Sequence, residues 1–490
     1  MTNTNPERKQ ILIQLSILLP FLAAVVLGIA PHSKSLHSIL STLQIANREN
    51  NTAEVINLAQ DVVSIEPWRG ELWESIGNHA VVANDLETAI RAYREAEQIG
   101  VLSYRGFINL GDAYARTGKH NSALAVWQSL IETDIKTMGE DQRSSVLRKI
   151  VSFQREIGDY QAAIDTLQAW LAINPDQTEA IYELGLLTAV VQPEEALPIL
   201  ARTETSDKNY SYRIQILRRA ITTALFETHP SYQHVIIGRA LGNLNQWDLA
   251  YYSFEQATIL TPGYAEAWAF FGESLQHLGG SGYTELQRAE NLNPDSILVQ
   301  ALIALYYRRQ GKPEAALEYL MTVSDEEPDQ AIWKVEIGNT LAEMGDIITA
   351  ADYFQQAIDL EPGNPIYWRL QAKFSVTYSQ DVREIGLPAA REALLIAPDD
   401  PASLDTMGLV LFKLGDLYTA ERFLQQALEI DLTYAEAHLH LGQLLLEQAM
   451  LGQSNHLEPA IHHLNQAVIF SANNDDVNLF ARRILEQYED

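Results

Sequence analysis

The chain has 490 residues and not one cysteine. That excludes disulfides, thiolate zinc sites, iron–sulfur clusters and cysteine nucleophiles together. Positive charge is scarce as well: 34 lysines and arginines face 64 aspartates and glutamates, leaving a net charge of −30. Such a surface repels phosphate backbones, because nucleic-acid affinity rests on basic side chains that release counterions, so nucleic acid is excluded as an expected partner. Signatures of phosphate and hydrolase chemistry are missing too: there is no Walker sequence, no Gly-x-Ser-x-Gly elbow and no His-Glu-x-x-His. One glycine-rich run exists, Gly279-Gly280-Ser281-Gly282, but it falls between two helical patterns and reads as a turn. At 47% hydrophobic and 20% charged residues, the chain is too apolar for disorder and too polar for a polytopic membrane protein.

Charge is unevenly spread. Residues 1 to 50 carry Arg8, Lys9, Lys34 and Arg48 against Glu7 and Glu49, net +2, so the remainder is −32. Within that segment Ile11 to Ala30 runs 20 residues without a charge. At about 1.5 Å per residue, a helix of this length spans roughly 30 Å of hydrocarbon, and one transmembrane helix is expected. The competing reading is a cleaved secretory signal ending at Gly28-Ile29-Ala30. Against it, the apolar run exceeds the usual h-region, and Pro31 would follow the cut and hinder a peptidase. Arg8 and Lys9 before the span, with Lys34 after it, place residues 1–10 in the cytoplasm and the bulk outside it.

Beyond residue 35 the sequence repeats with a period of about 34 residues. The most regular copy reads Lys334, Ile337, Gly338, Leu341, Ala350, Phe354, Ala357, Pro362. The same offsets give Trp73, Ile76, Gly77, Ala80, Ala89, Tyr93, Ala96 and, further on, Phe107, Leu110, Gly111, Tyr114, Ala123, Trp127. Others are Ile237, Gly238, Leu241, Ala250, Phe254, Ala257, Pro262 and Met407, Gly408, Leu411, Ala420, Leu424, Ala427. Each copy predicts two amphipathic helices joined by a turn such as Gly158-Asp159, Gly345-Asp346 or Gly415-Asp416. Glycine near the eighth position and alanine near the twentieth let the two helices approach, and a large ring at the twenty-fourth fills the gap to the next pair. Proline near position 32 stops the second helix. No isolated pair buries its own apolar stripe, so neighbouring pairs must stack.

These residues and spacings resemble the tetratricopeptide repeat (TPR) family, in its membrane-anchored bacterial form. The resemblance implies an all-α fold, an α-solenoid or superhelix of about twelve helix pairs preceded by the transmembrane helix. The expected layout is a cytoplasmic tail 1–10, the span 11–30, an N-terminal array 36–204, a junction 205–230 with an unpaired helix from Tyr210 to Phe226, a C-terminal array 231–470 and a capping helix within 471–490, from Asp476 to Gln487. The register also shifts at 131–143 and 446–459. By resemblance, the groove lined by the first helix of each pair binds a protein or peptide partner. The chain is then a membrane-tethered scaffold rather than an enzyme, with no cofactor. The alternative is an accessory subunit of a membrane-bound enzyme system, such as cell-envelope polysaccharide synthesis or cytochrome maturation. The expected groove residues are Asn78, Asn109, Asp112, Arg116, Arg239, Asn243, Glu273, Asn339, Glu343 and Gln443.

Family subtypes narrow this further. Some members clamp a C-terminal carboxylate with asparagine and lysine on successive first helices. Here Asn78 and Asn339 take the asparagine position, but Ile108 and Trp368 stand near where lysine is needed. Lipopolysaccharide-assembly relatives with a C-terminal Cys-x-x-Cys metal domain are excluded by the missing cysteine. The late histidines His438, His440, His456, His462 and His463 show no i, i+4 pair and no carboxylate motif, so no metal site is assigned. Trp73, Trp127, Trp170, Trp247, Trp268, Trp333 and Trp368 fall at or beside repeat positions and read as packing residues.

Overall fold

The computed structural model describes residues 34–133, 138–202, 208–452, 454–471 and 476–488. The expected transmembrane segment, Ile11 to Ala30, lies outside the described residues. Among those described, no helix is long and apolar enough to cross a membrane. They form an all-α structure of 26 α-helices, twelve pairs with two additional helices, Lys208–Leu225 and Asp476–Leu485. The chain divides into two compact units, Met1–Pro175 and Asp176–Asp490. Within each unit every helix packs on the next, the arrangement of a solenoid.

The Gly-Asp turns explain how each pair folds back. In Gly158, Gly345 and Gly415 φ is +76°, +86° and +84°, the left-handed backbone that ends a helix and that glycine adopts without strain. The following aspartate caps the second helix: Asp159, Asp346 and Asp416 accept from the backbone N–H of Ala162, Thr349 and Thr419. Asn84, at φ +60°, replaces glycine before Asp85, which caps Leu86–Ile99 through Thr88 N–H.

The two helices then meet at one small residue. A Cβ on Gly77 would fall 2.5 Å from the Tyr93 ring, on Gly111 2.0 Å from Trp127 Nε1, and on Gly238 2.6 Å from Phe254. Gly338 and Gly408 face Phe354 and Leu424 in the same way. In these five pairs the large side chain follows the glycine by sixteen residues and is buried. Gly442 meets Leu464, twenty-two residues on. The longer gap is the expected insertion at 446–459, taken up by a first helix that runs on to Met450 and a 3₁₀ turn at Ser454–His456.

Pairs are joined by a second recurring contact. The indole N–H of Trp73, Trp268 and Trp368 donates to the carbonyl of Pro67, Pro262 and Pro362, six residues back, at 3.0, 3.0 and 2.8 Å. Gln300 Nε2 bonds Pro294 O at 2.8 Å and His438 Nε2 bonds Leu432 O at 3.0 Å over the same interval. The proline that stops a second helix leaves its carbonyl free, and the next first helix supplies the donor. Three of the tryptophans expected to pack therefore also tie consecutive pairs together.

The expected junction lies in the second unit. The helix Lys208–Leu225 stands outside the twelve pairs but is not isolated. Its buried stripe Ile214, Leu217, Ile221 and Ala224 has helical spacing, and it packs against Pro193–Leu200 and Pro230–Asn243. The short helix Pro193–Leu200 is the partner of Thr178–Val191, where Leu200 stands 2.3 Å from a Cβ built on Gly185. The division between units accordingly lies at Pro175/Asp176, whereas the sequence-expected boundary near 205 falls on residues outside the described set. The terminal helix spans Asp476–Leu485, with Arg482, Arg483, Glu486 and Gln487 exposed.

Substituting Gly111→Ala sets about 1 kcal/mol of gained helix propensity against overpacking that costs about 1–3 kcal/mol. Because the Trp127 ring is buried and the contact is far inside van der Waals range, the net effect is destabilising by about 1–2 kcal/mol. Gly363→Ala, which meets nothing within 4 Å, stays within about 0.5 kcal/mol of wild type. Chemical denaturation of the two variants checks both values.

Candidate functional site

The first helices of successive pairs touch one another directly: Gly70–Val82 with Tyr104–Arg116 in the first unit, and Pro230–Asn243, Ala265–His277 and Ile297–Arg309 in sequence in the second. Pro365–Tyr378, Pro401–Lys413 and Ala435–Met450 do the same. Successive second helices do not come together in this way among the described residues. Over these stretches the first helices form a continuous face, and all ten sequence-expected residues lie on first helices.

In the first unit four of them are tied into the frame. The Tyr93 hydroxyl donates to Asn78 Oδ1 at 2.8 Å, and Asn109 Nδ2 donates to the same oxygen at 3.1 Å and reaches the Tyr93 hydroxyl at 3.3 Å. Burial pushes the Tyr93 phenol up to about 12, so it remains a donor throughout the neutral range. Asp112 pairs with Lys149 at 2.7 Å, and that ammonium stands 5.3 Å from the Trp127 ring centroid. Arg116 donates to Asn84. Beside this network a cleft of about 740 Å³ is lined by Asn78, His79, Glu74 and Trp68, the last 66% exposed.

In the second unit Arg239 stacks its guanidinium over Phe270 at 5.4 Å. Glu273 is only 7% exposed. Arg309 grips both its oxygens at 2.7 Å, and His277, stacked on Trp247, adds a contact at 3.1 Å. Burial alone would raise this carboxyl, but the hydrogen bonds and charges of His277 and Arg309 outweigh it and bring Glu273 down to about 2. The neighbouring Arg308 turns the other way, to Glu336 and Glu343 on the following first helix. Burial holds Glu336 above the usual carboxylate range despite Arg308. Three consecutive first helices are thus laced by charge through one pair of adjacent arginines. Asn243, Asn339 and Gln443 have no side-chain hydrogen bond among the described residues, and Asn243 is exposed while the other two are half-buried.

Pairing across repeats also governs the histidines. His438 Nε2 donates to Leu432 O, so its Nδ1 accepts from His463 Nδ1 at 2.9 Å. Burial lowers both imidazoles, His463 to about 4 with the help of His438 and His462, and both are neutral at pH 7. His440 points elsewhere, with Nδ1 2.7 Å from the fully buried Asp405 of the preceding first helix. That carboxylate lies 35 residues away in sequence, which is why no local motif betrayed it. Asp405 Oδ2 is buried without a partner. Among the described residues there is no group of three or more His, Cys, Asp or Glu able to hold a metal ion.

Two tetratricopeptide repeat family models match, one over residues 302–372 and one over 402–434. They support the repeat family, and the fold it implies is that of an interaction scaffold. No curated protein matches the chain. Among solved structures, yeast Tom70 is similar over 93% of this chain and 95% of its own, at 11% identity and a TM-score of 0.43. The Cut9–Hcn1 hetero-tetramer of the APC/C aligns over 95% and 99%, at 12% identity and 0.37. MamA (residues 41 to the end) from Desulfovibrio magneticus RS-1 covers 36% of this chain and 95% of its own, at 22% identity and 0.28. At such identities and scores none of the three bears on what this chain binds.

Because the Glu273 carboxyl is depressed from its ordinary 4.5 to about 2, its contribution to stability is present above about pH 4.5 and is lost as the pH falls towards 2. Glu273→Gln should destabilise the second unit by about 2–3 kcal/mol at pH 7. It should also flatten the loss of stability that wild type shows between pH 4.5 and 2. Urea unfolding at pH 7 and pH 3 measures both effects.

Proposed function

We propose that the chain is a membrane-tethered interaction scaffold that holds an extended segment of a partner protein against its first-helix faces. One observation carries the reading. Asn339 and Gln443 follow the small residue of their first helices at the same repeat position, and Asn243 lies one helical turn further along its own, all without an internal hydrogen bond. Amides spaced on a rigid frame offer paired donors and acceptors to a peptide backbone, and the frame loses little entropy when they are used. The remaining expected residues hold that frame together, through the Asn78–Tyr93–Asn109 network and the Glu273–Arg309 and Arg308–Glu343 pairs.

The uncharged run Ile11 to Ala30 is the proposed anchor. Tethering confines the binding face to a thin layer at the bilayer and raises the effective concentration of whatever it assembles there. The bias of Arg8 and Lys9 favours an extracytoplasmic array. No bond-making or bond-breaking step belongs to this reading.

The full chain carrying Asn339→Arg and Gln443→Arg should retain its helical circular dichroism and melting temperature while losing at least tenfold in recovery of a specific partner identified by mass spectrometry. Equal recovery by the variant, or a partner that follows residues 1–35 alone, would sink the proposal. A chain starting at residue 36 should move from the membrane pellet to the soluble fraction.

A further inference from the structure

Apart from the ten groove residues, a cleft of about 260 Å³ is lined by residues of Tyr283–Leu292, Ile297–Arg309 and Pro313–Glu326. Its lining is Glu290, Pro294, Gln300, Glu318, Tyr319 and Thr322, with no basic residue among them. The donors on these side chains are turned inward. The Tyr319 hydroxyl donates to Glu290 Oε1 at 2.8 Å, Gln300 Nε2 to Pro294 O at 2.8 Å and the Thr322 hydroxyl to Glu318 O at 3.1 Å. What is left over accepts. Glu290 has used one of its two oxygens on Tyr319, and Glu318 presents an exposed carboxylate. Gln300, only 9% exposed, keeps its Oε1 buried with no hydrogen-bond partner. The amide cannot turn over to relieve that oxygen, because Oε1 would then face the Pro294 carbonyl.

A buried acceptor with nothing to accept from costs about 1–3 kcal/mol. In a cleft with two carboxylates, the missing group is a donor-rich cation. A metal ion is poorly matched, since the described residues bring no third His, Cys, Asp or Glu into range. Arg288, on the same helix as Glu290, does not supply the charge either: it stacks over Trp268 at 3.9 Å. An alkylammonium carries three donors on a slim stem and no acceptor. The volume admits a single side chain, and Tyr319 and Pro294 give its stem apolar lining.

We propose that this cleft is a docking site for a lysine side chain of a protein partner, with the ammonium shared between Glu290, Glu318 and Gln300 Oε1. Glu290, Glu318 and Tyr319 lie on second helices and Gln300 comes from the first helix Ile297–Arg309, but none of the ten groove residues lines the cleft, so the site does not depend on the first-helix reading. The net charge of −30 steers basic segments towards the molecule, and the cleft gives one of their lysines a place to seat.

The test uses the full chain and a fluorophore-labelled, N-acetylated peptide with one lysine flanked by glycine and serine, followed by fluorescence anisotropy at low ionic strength. Glu290→Gln with Glu318→Gln should weaken binding at least tenfold, and so should acetylation of the lysine. Gln300→Leu should weaken it several-fold. Glu314→Gln with Glu326→Gln removes the same charge from exposed positions of the same helix and should leave affinity unchanged. Glu318→Gln alone, at an exposed position, keeps the test valid if the double variant melts early. Unchanged affinity in the cleft variants, or an equal loss in the Glu314/Glu326 pair, overturns the site. Competition by free cadaverine as strong as by unlabelled peptide overturns the protein source. Asn339→Arg with Gln443→Arg should leave this binding intact, which separates its failure from that of the first-helix face.

Discussion

The architecture depends on how closely two helices can approach at a single small residue. Where Gly77, Gly111, Gly238, Gly338 and Gly408 meet Tyr93, Trp127, Phe254, Phe354 and Leu424, there is no room for a methyl group without displacing the facing side chain. The large side chain is buried because the glycine lets the opposite backbone close over it. That contact sets the interhelical distance, which sets where the apolar stripe of each pair emerges, which decides how the next pair must sit. Caps and turns then serve the same geometry. A left-handed glycine followed by a capping aspartate folds the second helix back so that the sixteen-residue interval brings small and large into register.

Polar chemistry is layered on this frame with two different ranges. The bonds from Trp73, Trp268 and Trp368 to prolyl carbonyls close over six residues and need nothing from elsewhere in the chain. The bonds of Arg308 and Arg309 reach 35 and 36 residues to carboxylates on either side. The first kind recurs at Pro67, Pro262 and Pro362, with Gln300 taking the indole's place at Pro294. Asp112–Lys149 and His440–Asp405 span a repeat in the same way, and where Arg308 and Arg309 stand the first-helix face is stiffened by charge rather than left open to a ligand.

Much of this was legible in the sequence because the period carries it. About twelve pairs and their Gly-Asp turns follow from the recurrence of glycine, alanine and aromatic residues at fixed offsets, whereas the large ring, expected in the gap to the next pair, packs on the glycine of its own. The neighbours of Lys208–Leu225 were not legible, because Pro193–Leu200, the partner of Thr178–Val191, has only eight residues and opens on a proline, too short for a period to register. Of the ten expected groove residues, Asn78, Asn109, Asp112, Arg116, Glu273 and Glu343 turn out to be engaged with neighbours, and Arg239 lies over a ring. A sequence places such side chains on a face but does not say whether a residue one repeat away extends far enough to meet them. The His440–Asp405 bond and the cleft lined by Glu290, Gln300 and Glu318 escaped notice for the same reason, since each is assembled from residues whose separation is set by stacking.

The six-residue bond between a prolyl carbonyl and the following indole has an evolutionary corollary. A duplicated or deleted helix pair carries its own joint with it, so the array can change length by whole units without repair at the seam. Between residues 265 and 343 that freedom is withdrawn. Removing the pair that bears Arg308 and Arg309 would take both guanidinium hydrogen bonds from the buried Glu273, so this stretch is bound to descend as a block.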